Sequence, residues 1–353
     1  MSPKHTVPLG PAASLLVIGH DRTNIVVDRR AVMVTVCAGA VVLGLMILAL
    51  LLGDFPLTIG EMAGVLLGQG EGLARTVVLE WRLPRAIAAV LFGAALAVSG
   101  ALFQTVTRNP LASPDIMGLA NGSYTGMILA LVVLGGSWPM LVTGSLVGGL
   151  AAAAVIYLLA LRDGLQGFRF IMVGIGVSAI LASFNTWLLL RVDVDVALFA
   201  SAWGAGTLNT ITPATLIPTG FGIIVLLCLL PAVIVPLRQL SLGDDAAAST
   251  GAAVKPARLA AIAIAIGLVS AVTAVSGPIA FIALSAPQIT RRLAGTAEIP
   301  LAASAVVGGL LLLASDLVAQ HVIPVTLPVG VVTVVLGGLY LVWLLVREAR
   351  RTK

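Results

Sequence analysis

Apolar residues in this chain do not alternate with polar ones. They run on in stretches long enough to bridge a bilayer, and the polar residues gather in short gaps between them. Windows of roughly 20 residues, the length needed to cross about 30 Å of hydrocarbon, give ten candidate spans near 31–53, 86–106, 116–136, 139–161, 169–190, 215–236, 257–276, 278–290, 299–318 and 327–346. The eighth is short. Residues 276–292 read SGPIAFIALSAPQITRR, an apolar stretch set between Gly277-Pro278 and Pro287, so a re-entrant or broken helix stands beside a full span as a reading. The pattern predicts an all-α integral membrane protein of about ten transmembrane helices. One permease-sized domain covers 31–346, with a leader at 1–30 before it and a basic tail at 347–353 after it.

Composition agrees with the pattern: 59% of residues are hydrophobic, 10% are charged and the mean hydropathy is +1.11, values outside the range of soluble domains. Lys and Arg collect in cytoplasmic loops. Ten spans with both termini inside place Arg29, Arg30, Arg108, Arg238, Lys255, Arg291, Arg292 and the basic tail on the cytoplasmic side, and leave only Arg75, Arg82, Arg85 and Arg191 outside. Nine spans would export the Arg291-Arg292 pair. The leader carries Pro3, Pro8 and Pro11 among scattered charges and lacks the apolar core and cleavage site of a signal peptide; a loose cytoplasmic segment is expected. Cys37 and Cys228 lie inside apolar spans, where packing is expected rather than a disulfide. The net charge of +5 follows from the basic loops and implies no nucleic-acid partner.

Missing chemistry narrows the function. No glycine precedes any of the three lysines, so no phosphate loop for ATP is readable. The three histidines, His5, His20 and His321, are far apart, and no metal site emerges. A proton- or sodium-driven carrier keeps ionisable groups at the bilayer midplane, yet the spans hold almost none. Asp316 is the main exception, near one end of the ninth span, where local capping or pairing explains it. The chain therefore resembles a pathway energised elsewhere, with no covalent chemistry and no cofactor of its own. Gly118, Gly122 and Gly126 recur every fourth residue and line one helix face, a pattern for close helix packing.

Residues 240–254, LSLGDDAAASTGAAV, suit a short helix outside the bilayer. Asp244 or Asp245 can cap it, the run through Ala248 favours helix, and Gly251 suits its end. Two turns are unstable alone and need a surface to rest on. Arg82 and Arg85, in WRLPR (81–85), stand on the side that basic residues usually avoid. They either anchor a helix at headgroups or meet a partner.

WRLPR (81–85), GAALAVSGALFQ (93–104), RNPLASPDIMG (108–118), LGDDAAASTG (242–251), SGPIAFIALSAPQITRRLAG (276–295) and LPVGVVTVVLGG (327–338) resemble, in order and spacing, the permeases of bacterial ABC importers for ferric siderophores and vitamin B12. Within that family, EWRLPR, FNTWLLL (184–190), DLVAQ (316–320) and GGLYLVWLL (337–345) resemble the second permease subunit for ferric enterobactin. The resemblance implies a type II ABC importer permease fold in the bacterial inner membrane and a ferric siderophore of catecholate type as cargo. Vitamin B12 or haem stays open as cargo, and an ion-coupled carrier as the rival class. It also implies partners: a homologous second permease, two ATPase subunits that hold the ATP and magnesium, and a substrate-binding protein. Arg82 and Arg85 would then dock the binding protein. The segment with Gly243, Asp244, Asp245, Ala248 and Gly251 would be the coupling helix seated on the ATPase. Two positions depart from many relatives: Gln288 stands where they carry histidine and Gln320 where they carry arginine.

Overall fold

The computed structural model describes residues 6–9, 13–18, 25–69, 72–115, 118–160, 167–240, 249, 254–296, 298–322 and 325–351. The described parts of the leader hold strands that its prolines did not suggest. Strands β1 (Thr6–Leu9), β2 (Ala13–Ile18) and β3 (Ile25–Asp28) form an antiparallel sheet in the order β1-β2-β3. Its β-branched and leucine runs, ASLLVI and IVVD, favour strand, a signal the proline spacing obscured.

The other elements among the described residues are helices. Each predicted window finds a helix: α1 (Arg29–Leu51), α4 (Leu83–Thr107), α5 (Leu119–Leu134), α6 (Trp138–Ala160), α7 (Gly167–Leu189), the pair α9 (Pro213–Cys228) and α10 (Leu230–Leu240), α11 (Val254–Ser276), α12 (Ile282–Ala294), α13 (Leu301–His321) and α14 (Val329–Arg351). Three short helices were not foreseen. They are α2 (Ile59–Leu66), capped by a reciprocal Thr58–Glu61 box; α3 (Gly72–Thr76), joined to α4 through a π-helical stretch, Val77–Arg82; and α8 (Val194–Gly204). Among the described residues six helices are long and apolar enough to cross a membrane, and α9 with α10, bent by 42°, make a seventh. Pro231 has no N–H to give and stands at that bend.

The eighth window holds a broken helix. With 13 residues, α12 reaches only about 20 Å at about 1.5 Å per residue, well short of the roughly 30 Å needed. It starts inside the bundle, after a break at residues 277–281.

Helix α4 occupies the centre and is buried along most of its length. Without a hydrophobic drive between helices in lipid, close backbone approach supplies the packing. A side chain at Gly93 would overlap the carbonyl of Gly308 in α13, and one at Gly100 the carbonyl of Ala283 in α12. Gly122 and Gly126 of α5 likewise lie against Gly144 and Gly148 of α6, while Gly118, at φ 86°, sits at the start of α5 beside Ser178 of α7. Gly93→Val or Gly126→Val should therefore lower the thermal midpoint of the purified protein, at a cost of about 1–3 kcal/mol or more. Gly44→Ala and Gly222→Ala, whose added β-carbon would meet nothing within 4 Å, should not lower it; a fluorescence melt in detergent compares the four.

Candidate functional site

Both terminal cations of the WRLPR stretch turn inward. Helix α1 ends at Leu51 with unpaired carbonyls, and Arg82 satisfies them. It donates to Leu50 O at 2.8 Å and Leu51 O at 3.4 Å, and also to Phe55 O at 2.7 Å, placing a cation at the negative end of the helix dipole. Gly53 makes room, since a side chain there would lie 2.5 Å from the guanidinium. Arg85 grips Asp316 of α13 with two hydrogen bonds, Nε to Oδ2 at 2.9 Å and Nη2 to Oδ1 at 2.8 Å, and the side chains are 18% and 3% exposed. Gln320 adds a third donor to Asp316 at 2.6 Å. The glutamine departure thus completes the shell of a buried carboxylate. Asp316, expected to cap or pair locally, does so with Gln320 four residues on, and its ion-pair partner lies 231 positions away in the chain.

The break between α11 and α12 lies deeper. Thr207 N donates to Ser276 O at 2.7 Å and Gly330 N to Gly206 O at 3.0 Å, so the loop after α8, the break and the start of α14 stack backbone on backbone. Phe281 adopts φ 70°, in the left-handed region, and its N–H donates to Asp115 Oδ2 at 3.1 Å. The other Asp115 oxygen accepts from the Ser113 hydroxyl. Asp115 escaped the sequence reading because it falls just before the third window, where an acid at a membrane rim draws no notice. The available signal was an acid set in an apolar connector, LASPDIMG.

Helix α7 is held to α5 by polar groups rather than bulk. Thr125 donates to Asn185 Oδ1 at 2.7 Å, and Asn121 donates to Ser178 Oγ at 2.8 Å. Tyr124 of α5 stacks on Trp203 of α8, with centroids 5.9 Å apart. Much of α7 stays exposed and apolar, including Ile180 and Trp187, as do Leu339 and Val342 of α14.

At the opposite end of the bundle, Gln288 donates to Gln104 Oε1 at 2.6 Å and Gln104 in turn to Leu284 O at 3.1 Å. Gln288, expected to depart from many relatives, is thus paired with a second buried amide. The two amides floor a cavity of about 1060 Å³ whose walls include Arg108, Arg238 and Arg291. The predicted coupling residues Gly243, Asp244, Asp245, Ala248 and Gly251 lie outside the described residues; their flanks, the end of α10 and the start of α11, are at this same end. Among the described residues no group of three or more His, Cys, Asp or Glu could hold a metal.

The profile of the FecCD transport family matches residues 41–347. The chain is 45% identical to the ferric enterobactin transport system permease protein FepG of Escherichia coli (strain K12) over 300 residues, 85% of this chain and 91% of that one. It is 32% identical to the probable siderophore transport system permease protein YfhA of Bacillus subtilis (strain 168), over 81% and 86% of the two chains. Among solved structures, one described as a metal-chelate type ABC transporter in an inward-facing conformation superposes with a TM-score of 0.80 at 24% identity, covering 89% of this chain and 99% of that one. That likeness establishes the fold.

Removing Arg85 strands a buried carboxylate, so Arg85→Gln should destabilise by about 3–5 kcal/mol. The double change Arg85→Gln with Asp316→Asn should recover most of that loss. Thermal midpoints of the single and double variants measure the coupling, and additive losses would show that the pair contributes nothing.

Proposed function

The chain belongs to the FecCD transport family, and on that premise we propose that it is one permease subunit of an ATP-driven importer that passes a ferric siderophore of catecholate type across the bacterial inner membrane. The observation that carries this reading is the likeness, along most of both chains, to a ferric enterobactin permease. A homologous second permease completes the pathway. The exposed apolar faces of α7 and α14 are suited to such a neighbour as well as to lipid. Two partner ATPases bind ATP and magnesium, in keeping with the missing phosphate loop in this sequence. Both termini, the basic ends of α10 and α12 and the 240–254 coupling segment face the cytoplasm, a placement the distribution of arginines supports.

The end that carries Arg82 and Arg85 faces outward and receives the substrate-binding protein. Rim charges there steer and orient the encounter more than they add affinity. Arg82 caps α1 and the charge of Arg85 is met by Asp316, so the two arginines serve the docking edge by holding it firm.

Proteoliposomes holding both permeases and the ATPases, given a loaded binding protein, should take up a ferric catecholate only with ATP. Uptake by this chain alone along an ion gradient would overturn the mechanism, and uptake of vitamin B12 or haem instead would overturn the cargo. Replacing Asp244 and Asp245 by alanine, or Gly251 by tryptophan, should reduce ATPase activity stimulated by the binding protein to the basal level while the complex stays assembled; full stimulation would remove the coupling role from this segment.

A further inference from the structure

One residue of the break joins three elements. The Phe281 N–H is held by Asp115, from the connector between α4 and α5. Its carbonyl accepts from the Ser285 N–H at 2.8 Å and from the Ser285 hydroxyl at 2.7 Å, inside α12. Its side chain lies where any side chain on Gly337 of α14 would have to go. Phe281 has a β-carbon and still adopts φ 70°, a conformation that L-residues keep only when their surroundings over-determine it.

The connector brings Asp115 to this point. Arg108 ends α4 at φ 50°, another left-handed residue that is not glycine. Ala112, Ser113 and Pro114 are buried, and Ser113 orients the carboxylate by donating to it. Among the described residues Asp115 has no ion-pair partner; its oxygens accept from the Ser113 hydroxyl and from the Phe281 N–H at the start of α12. Beside it lies a small cavity of about 90 Å³, walled mainly by Thr273, Pro278, Ile279, Ala280 and Leu284. The break therefore has free volume on one side and a single side-chain acceptor fixing its register. The same connector begins at Arg108, Asn109 and Pro110, which line the large cavity at the Arg291 end.

We propose that Asp115 is a positioning residue for transport. By accepting the Phe281 N–H it locks the break and the half-length helix α12 to the α4–α5 connector, so that movement imposed at the Arg291 end reaches the interrupted span and, through Phe281, helix α14. This role rests on the reading of the chain as an importer permease. The carboxylate acts as a hydrogen-bond acceptor here and not as a carrier of ions. Asparagine can replace it, since its amide oxygen accepts from Phe281 and its NH2 faces the Ser113 hydroxyl; leucine, which shares the branched skeleton but has no acceptor, cannot.

The test compares Asp115→Asn and Asp115→Leu in the assembled complex, with two readouts. Hydrogen exchange followed on peptides spanning residues 276–285 reports the Phe281 N–H directly and needs no cargo. ATP-driven uptake reports transport. The leucine variant should lose protection in that peptide and lower the maximal uptake rate by about tenfold, with the half-saturating concentration of loaded binding protein unchanged; the asparagine variant should restore both. Unchanged exchange and uptake in the leucine variant would overturn the proposal. So would an asparagine variant as defective as leucine, because charge and not acceptance would then be at work. If the leucine variant fails to assemble, Ser113→Ala, which leaves the carboxylate but frees its orientation, must raise exchange in 276–285, and unaltered exchange there counts against the role. Absence of uptake by the unaltered complex would count against the importer reading alone, since the exchange result stands without it.

Discussion

Inside a bilayer every backbone N–H and C=O must find a partner within the protein, because no water is there to serve as one. This chain interrupts a span at residues 277–281, and much of the surrounding structure answers that interruption. The loop after α8 brings Thr207 to Ser276, Gly330 donates to Gly206, and Asp115 accepts from Phe281. A side chain on Gly206 would overlap the carbonyl of Pro278, one on Gly277 that of Trp203, and one on Gly330 that of Ala205. Glycine at these places is what lets three backbones replace water for one another. It also explains why α8, only 11 residues long, belongs to the bundle at all: its end supplies part of the lining for the break.

The remaining helices obey a related limit. Lipid offers no hydrophobic drive for one apolar helix to leave it for another, so cohesion comes from close contact and polar bonds. The glycines of α4 against α13 and of α5 against α6 give the first; the Asn121, Thr125 and Asn185 bonds and the Arg85–Asp316 pair give the second. Both kinds hold the bundle from within and leave long apolar faces on α7 and α14 outside it. A transport subunit needs that division, a firm core against which an outer face can meet lipid or another subunit.

Most of the fold was legible from hydropathy, because span length is fixed by bilayer thickness and survives any detail of packing. Of the expected glycine face, Gly122 and Gly126 meet α6 as the helical period sets them, whereas Gly118 stands before the first turn of α5 and packs against α7. The partners of charged groups were not. Arg85 and Asp316 are separated by 231 positions, and no local pattern predicts that α13 comes to lie beside the start of α4. Asp115 was hidden by its position in a connector, since nothing in RNPLASPDIMG states that the connector reaches the break. The leader misled in the other direction: its prolines stand beside β-branched runs that pair as strands. Gln288 and Gln320, which looked like losses, are each one half of a hydrogen-bonded match with Gln104 or Asp316.

These constraints describe a permease of the FecCD family in which a broken helix is kept in register by its neighbours. An electron cryo-microscopy map of the complete complex in lipid tests that most directly. The account predicts α12 beginning midway through the bilayer, the Asp115 carboxylate against the Phe281 N–H, and ATPase density against residues 240–254. A continuous helix from 276 through 294 crossing the whole membrane, with Asp115 turned to solvent, would contradict it.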